Sequence, residues 1–268
     1  LGDTQIEYQI LERISFKKFL GLESGEKEKK EKTVWAFREA LTVSDLIKDI
    51  FEQFTVFLES KGYLINEGKM IDASFTIAPR QRNTREENEI IKKGEGKELW
   101  KDKPNKKRQK DIDARWTKKN NVTYFGYKNH TKVGSKSKFI ENYLVTDASV
   151  HDSQPLDGLL TDKDAGKELY ADSAYTGDAQ EKVIEKYNMI NQVHEKGYRN
   201  NPLTETQKAN NTVKSKTRAR VEHVFGFMEQ SLQGLIVKSI GLLRANGIIG
   251  LMNLTYNLFR YEQVTRFS

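Results

Sequence analysis

The stretch Glu168–Gly177 (ELYADSAYTG) decides how we interpret the fold of this chain. A short apolar run ends at the carboxylate of Asp172, and a small residue, an aromatic residue and a Gly turn follow it. This pattern predicts a buried strand that delivers one Asp to its carboxyl-terminal edge.

Two further stretches each add one acidic residue to this first Asp. Met70–Ile77 (MIDASFTI) predicts a strand that carries Asp72 among apolar residues. Arg218–Gly226 (RARVEHVFG) has helical periodicity, and Arg218 and Glu222 share one face of that helix because they are four residues apart. Taken alone, these two residues would equally suit a surface ion pair worth about 0.3–0.5 kcal/mol.

The order of the predicted elements indicates the fold class. Three strands are followed by helix, strand, helix, strand and helix, which is the order of a ribonuclease-H-like domain. We therefore predict an α/β fold with a mixed five-stranded sheet flanked by helices. The domain is expected at residues 67–268, after a small helical unit at residues 1–66. That unit serves either packing or the binding of DNA ends.

The charge of the chain is concentrated in residues 79–121, which we call the basic segment. The net charge of the 268-residue chain is +7, with a pI near 9.2. Between Pro79 and Lys119 alone, 15 Lys and Arg residues stand against eight Asp and Glu residues. Its polarity and lack of periodicity predict a loop or disorder. It is either a solvated insertion or an arm whose Lys106, Lys107 and Arg108 neutralise DNA phosphates.

Composition excludes several classes of site. The chain has no Cys, so disulfides, thiolate zinc sites and Cys nucleophiles are absent. Its four His residues lack the spacing of a zinc protease. No signal peptide or run of 18 apolar residues occurs, so we expect a cytoplasmic protein that does not enter the membrane. The chain begins at Leu1 rather than Met, and we expect an amino-terminal piece to be missing.

Asp72, Asp172 and Glu222 suit metal-dependent phosphoryl transfer. Mg²⁺ prefers oxygen ligands and keeps several waters, so a few carboxylates are sufficient to hold it. Two ions about 3.5–4 Å apart can clamp the attacking and leaving oxygens of an in-line displacement. Such a reaction needs positioning and charge neutralisation without a protein nucleophile.

Further residues are candidates for DNA contacts near these acids. They are Arg218, Lys128, His130 and Tyr175. For His130 the alternative is an ordinary strand-face residue, and for Tyr175 it is a core aromatic residue.

At these positions the chain resembles the bacterial DDE transposases of the insertion-sequence-five group. The resemblance rests on five segments that together span nearly the whole chain: Ile14–Leu22, Ile71–Ser74, Phe125–His130, Tyr170–Tyr175 and Arg218–Gly226. Two positions depart from the group, since Ser215 stands where Tyr is expected and Glu229 where Lys is expected. A Lys contact to DNA at position 229 is therefore not implied.

The resemblance implies a nucleoid-associated bacterial enzyme that cuts DNA at the terminal inverted repeats of an insertion sequence and joins the 3′ ends to target DNA. Asp72, Asp172 and Glu222 would bind two Mg²⁺ ions, for which Mn²⁺ can substitute, and a homo-oligomer would hold the paired ends. Two alternatives stay open. One is a nuclease of the same fold without strand transfer, and the other is a decayed or domesticated transposase that binds DNA and regulates.

Overall fold

The computed structural model describes residues 2–22, 31–64, 66–232 and 234–266. The chain divides into two compact units, Leu1–Ile47 and Lys48–Ser268. The first unit contains α1 (Asp3–Glu12), α2 (Ile14–Phe19) and α3 (Glu31–Val43), and α4 (Leu46–Ser60) spans the division. The predicted helices are present, whereas the predicted domain boundary at residue 66 stays a prediction.

The second unit is built around one mixed sheet. In chain order, its remaining elements are β1 (Lys69–Ile77), α5 (Arg85–Lys92), α6 (Pro104–Arg108), β2 (Arg115–Lys119), β3 (Val122–Gly134), β4 (Ile140–Asp147), α7 (Leu156–Leu159), β5 (Glu168–Tyr170), α8 (Asp178–Lys186), β6 (Ile190–Asn191), α9 (Glu205–Ser231) and α10 (Leu242–Arg266). The strand order is β2-β3-β1-β5-β6, and β4 also pairs with β3. Strand β1 is antiparallel to β3 and parallel to β5.

Apolar side chains cover both faces of this sheet. On one face, Met70 and Val133 pack with Val221, Val224 and Met228 of α9. On the other face, Ile71 and Leu169 join a cluster with residues of α7 and α8. Because successive strand residues point to opposite faces, the adjacent Met70 and Ile71 belong to different clusters. The predicted ribonuclease-H-like sheet with helices on its faces is confirmed.

The prediction of five strands and of an unstructured basic segment was wrong. The sheet has six strands, and the additional strand, β2, lies in the basic segment together with α5 and α6. Helix α5 begins at a capping box, in which the Glu87 N–H donates to Thr84 Oγ1 at 3.2 Å and the Thr84 N–H donates to Glu87 Oε2 at 2.9 Å. Such a cap supports a helix even where an apolar stripe is nearly absent.

The polar stretch 196–216 has no apolar periodicity that would predict a helix, yet its second half is helical. Helix α9 begins at Glu205, behind a capping box formed by Thr204 and Gln207. Its first turns face solvent, so they carry no apolar periodicity. The helix that bears Glu222 is consequently about three turns longer than its apolar pattern indicates.

Candidate active site

The strand register places Asp72 and Asp172 at equivalent positions on neighbouring strands. Met70 of β1 is paired with Tyr170 of β5 in parallel register, and each Asp follows two residues after its member of that pair. Side chains two positions apart along a strand point to the same face of the sheet. Both carboxylates therefore lie just beyond the residues through which the two parallel strands pair, Asp72 inside β1 and Asp172 after the end of β5, on the side of the sheet that α9 covers.

Local hydrogen bonds fix the orientation of both carboxylates. The Ala73 N–H donates to Asp72 Oδ1 at 2.8 Å. The Ala174 N–H donates to Asp172 Oδ1 at 2.8 Å, so Asp172 caps the single 3-10 turn Ser173–Tyr175 that follows β5. The sequence pattern of a short strand ended by Asp and a turn thus produces a carboxylate held by its own backbone.

Arg218 connects Asp72 to Glu222. Its Nη1 donates to Asp72 Oδ2 at 3.2 Å, and its Nη2 lies 3.7 Å from Glu222 Oε1. Glu222 has a 66% exposed side chain, whereas the adjacent Val221 is buried. The helix therefore directs Glu222 away from the core and toward Arg218, as the four-residue spacing predicts.

Burial dominates the electrostatics of Asp72. It raises the pKa of this carboxyl to about 6, in the same direction as the charge of Asp172 and against the Ala73 N–H and the Arg218 guanidinium. A buried carboxylate with one cationic partner favours the approach of further positive charge.

The carboxylates of Asp72, Asp172 and Glu222 are the type of ligand that a divalent ion binds, but they are not arranged as a metal site in this structure. Carboxylate oxygens are the ligands that Mg²⁺ prefers. Within the described residues, no three His, Asp or Glu side chains form a group that could hold a metal ion. Instead, the guanidinium of Arg218 bridges Asp72 and Glu222. For all three acids to hold one ion, the Arg218 guanidinium would have to move away from Asp72 and Glu222.

Comparison with known proteins identifies the family of this chain. The family described as "Transposase DDE domain" matches residues 68–258. This chain belongs to that transposase family. It is similar to the transposase for insertion sequence element IS1106 of Neisseria meningitidis serogroup B, with 29% identity over 228 residues, or 84% of this chain and 76% of that protein. No solved structure matches the chain. The predicted resemblance to insertion-sequence DDE transposases is confirmed.

Three of the residues predicted to contact DNA in this transposase are buried. Lys128, His130 and Tyr175 have exposures of 6%, 0% and 1%. Burial also lowers the pKa of His130 to about 4, so this ring is neutral near pH 7. Direct DNA contacts by these three side chains are incompatible with this structure. Strand alternation predicts which face a residue occupies, but it does not predict whether other segments cover that face.

An ion-pair network next to the acids was missed from the sequence. Asp152 pairs with Lys128 at 2.7 Å and with Lys119 at 3.2 Å. Burial by itself raises the pKa of Asp152, but its bonds to the two lysines outweigh burial and lower that pKa. Both lysines also lie over the ring of Phe75, three residues after Asp72. The sequence contains no signal for this network, because its members are far apart along the chain.

Some of the positively charged side chains of the basic segment bind other residues of the same segment. Lys106 Nζ donates to Glu87 Oε1 at 2.5 Å and lies 4.9 Å from the centre of the Trp100 ring. Lys107 Nζ donates to the carbonyl of Lys97 at 2.8 Å. Arg108 is exposed and forms no ion pair with the part of the chain that the structure describes. Of the three residues predicted to contact phosphates, Arg108 is thus the one whose charge is least engaged by other described residues.

Among the described residues, none of the helices combines the length and apolar character that a membrane crossing requires.

Proposed function

We propose that this transposase cleaves DNA at the terminal inverted repeats of an insertion sequence and joins the freed 3′ ends to target DNA. The observation that carries the proposal is the parallel register of β1 and β5, which puts Asp72 and Asp172 at equivalent positions beyond the paired residues, with Glu222 joined to Asp72 through Arg218. In this proposal the three acids hold two Mg²⁺ ions, or Mn²⁺ in their place.

The bound ions would supply charge neutralisation at the attacking and leaving oxygens of the phosphoryl transfer. The protein's own groups prepare the site for this chemistry. The Ala73 and Ala174 amides orient the carboxylates of Asp72 and Asp172, and burial of Asp72 favours positive charge beside it. Arg218, once released from Asp72, is available to neutralise a DNA phosphate.

Two DNA ends must be joined in one reaction, so we propose that a homo-oligomer of this chain holds the paired ends. The size of the complex formed with DNA that carries the repeat tests this point. A single copy of the chain bound to each separate DNA molecule would contradict it.

The decisive experiment uses labelled duplex DNA that carries the element's terminal repeat, with Mg²⁺ or with EDTA. We expect metal-dependent nicking at the repeat end, followed by joining of the 3′ end to a second duplex. Nicking without joining would identify a nuclease, and binding without nicking would identify a DNA-binding regulator. Either result would replace the proposed function.

The salt dependence of DNA binding tests the role of the basic segment. Each phosphate contact on duplex DNA contributes about 0.9 to the slope of log affinity against log salt concentration. We expect Arg108→Gln to reduce this slope by about 0.9. Lys106→Gln should reduce it less, because Lys106 is already paired with Glu87.

Lys186→Gln is the matched control for these variants, since Lys186 is an exposed lysine paired with Asp157 outside the basic segment. Its slope should equal that of the unmodified protein. If Arg108→Gln also leaves the slope unchanged, the basic segment does not contact DNA phosphates at this point.

A further inference from the structure

Two arginines from different helices bind the turn between β3 and β4, residues Ser135–Lys138. Arg220 of α9 donates from Nη1 to the carbonyl of Ser135 at 2.8 Å. Arg260 of α10 donates from Nε to the carbonyl of Ser137 at 2.9 Å. Carbonyl acceptors fix the position of both guanidinium groups but leave their charges in place.

Lys138 adds a third positive charge at the end of the same turn. Its N–H donates to the carbonyl of Gly134 at 3.1 Å, which closes the turn. Burial, followed by the charges of Arg260 and Arg220, lowers the pKa of Lys138. This shift agrees with the hydrogen bonds that hold both arginines on the turn. We call Lys138, Arg220 and Arg260 the turn cluster.

No salt bridge neutralises the turn cluster within the part of the chain that the structure describes. Glu67 lies at the turn, but its carboxylate is 5% exposed and accepts the backbone N–H groups of Lys136 and Ser137. Lys136 itself is exposed and brings further positive charge to the turn. A concentration of one sign of charge attracts the opposite sign, so the turn cluster favours an anion.

The turn does not need positive charge for its own stability. The carbonyl of Lys138 accepts from the hydroxyl of Tyr256 at 2.8 Å, and this neutral donor satisfies it. Neutral donors could satisfy the carbonyls of Ser135 and Ser137 in the same way, without bringing like charges together. The two arginines therefore offer something that the turn alone does not require.

The turn cluster lies close enough to the proposed active site to share one DNA duplex with it. Gly134, directly before the turn, pairs with Lys69 of β1, three residues before Asp72. At about 3.3 Å per residue, about 10 Å of strand separate the turn from Asp72. Successive phosphates of one DNA strand advance about 3.4 Å along the helix axis, so about three base pairs cover this distance.

We propose that the turn cluster binds a backbone phosphate of DNA about three base pairs from the phosphate that is cut. A guanidinium has five N–H donors. Arg220 uses Nη1 for the turn, and Arg260 uses Nε for the turn and Nη1 for Gln263. The remaining donors suit phosphate oxygens, which arginine binds in bidentate fashion. This inference rests on the proposed function, because its ligand is the DNA of that reaction.

The first test measures the salt dependence of binding to repeat-end duplex DNA in EDTA. The double variant Arg260→Gln/Lys138→Asn removes two of the three charges, and Asn tolerates the positive φ of +61° at position 138. We expect the slope of log affinity against log salt concentration to fall by about 0.9, the value of one phosphate contact. An unchanged slope would overturn the proposal.

Tyr256→Phe is the matched control, because it removes a hydrogen bond to the same turn without removing a charge. It should lower the Tm by about 2–4 °C and leave the slope unchanged. An equal loss of slope in Tyr256→Phe would mean that the double variant acts by disturbing the turn, and would refute a phosphate contact. Lys186→Gln again controls for the loss of an exposed positive charge.

The second test locates the phosphate on the DNA. Duplexes that carry one neutral methylphosphonate linkage are scanned, one linkage at a time, along the repeat end. One linkage, about three base pairs from the cut, should weaken binding by the unmodified protein about tenfold and should not weaken binding by the double variant. If every linkage affects both proteins equally, the turn cluster does not contact DNA.

Free phosphate ions share the chemistry of the DNA backbone and are tested separately. The Tm of the unmodified protein and of the double variant is compared in inorganic phosphate and in chloride at equal ionic strength. If phosphate raises the Tm of the unmodified protein alone while both proteins have the same DNA slope, the turn cluster binds small anions instead of DNA. That result would overturn the proposal.

This proposal and the proposed function fail in different ways, because binding in EDTA does not depend on cleavage. If the unmodified protein cleaves repeat-end DNA and the double variant keeps the normal slope, only the role of the turn cluster is refuted. If the slope falls as expected but Mg²⁺ supports no cleavage, the proposed function fails and the phosphate site remains.

Discussion

Asp172→Asn is expected to reduce Mg²⁺-dependent cleavage of repeat-end DNA by at least about 1000-fold. A metal ion contributes several kcal/mol of charge stabilisation to a phosphoryl transfer, and each 1.36 kcal/mol is a factor of about ten in rate. The substitution removes one negative charge from the proposed ligand set while keeping the shape of the side chain. The amide oxygen of Asn can still accept from the Ala174 N–H, so the turn that follows β5 should remain intact.

The rate of nicking at saturating protein and the affinity for the same DNA in EDTA are the two measurements for this variant. Affinity should change by less than about twofold, because the basic segment is untouched. Asp162→Asn is the matched control, since Asp162 is exposed in the same compact unit, and it should cleave at the normal rate. Normal cleavage by Asp172→Asn would refute the proposed active site.

The sequence was sufficient to predict the strand that carries Asp72 and the strand that leads to Asp172, because each is a short apolar run that meets one acid. Apolar burial overrides other preferences in such runs, and the parallel pairing of β1 with β5 then follows from the fold class. The face of α9 that bears Glu222 was equally accessible, since helical periodicity fixes it. These features depend on local patterns whose physical cause lies within a few residues.

The features that the sequence did not predict depend on distant contacts or on polar structure. Arg218 and Asp72 are 146 positions apart, so their ion pair could not be inferred from spacing. The burial of Lys128 depends on its contacts with Val150 and Asp152, which come from a separate loop. In the basic segment, α5 was missed although the capping residues Thr84 and Glu87 were visible in the sequence.

Burial of the Asp72 carboxylate lowers the stability of the free protein, and this cost has a physical role in the proposed function. An isolated buried carboxylate destabilises a fold, and Arg218 offsets part of that cost in the free protein. The same negative charge is what a divalent ion requires. Stability of the free protein and affinity for the ion should therefore change in opposite directions when Asp72 is replaced.

Asp72→Asn is accordingly expected to stabilise the metal-free protein above pH 6 and also to abolish cleavage. The folded-state pKa of Asp72 is about 6, raised from 3.8 chiefly by burial. The folded protein therefore binds this proton more tightly than the unfolded chain, and ionisation of Asp72 weakens the fold as the pH rises from about 4 to 6. A shift of one pKa unit corresponds to about 1.36 kcal/mol, so removing the ionisable group should add about 1–3 kcal/mol above pH 6. Below pH 4 both states hold the proton, and the advantage of Asn should vanish.

Urea unfolding in EDTA between pH 3.5 and pH 8 measures this difference, with Glu222→Gln as the control. Glu222 is a proposed ligand too, so both variants should lose cleavage. Its side chain is 66% exposed, however, and its replacement should change stability by no more than about 0.5 kcal/mol at any pH. If Asp72→Asn gives a stability difference that does not vary with pH, the carboxyl of Asp72 is not desolvated as the structure indicates. The coupling between fold stability and metal affinity at this site would then have to arise from another group.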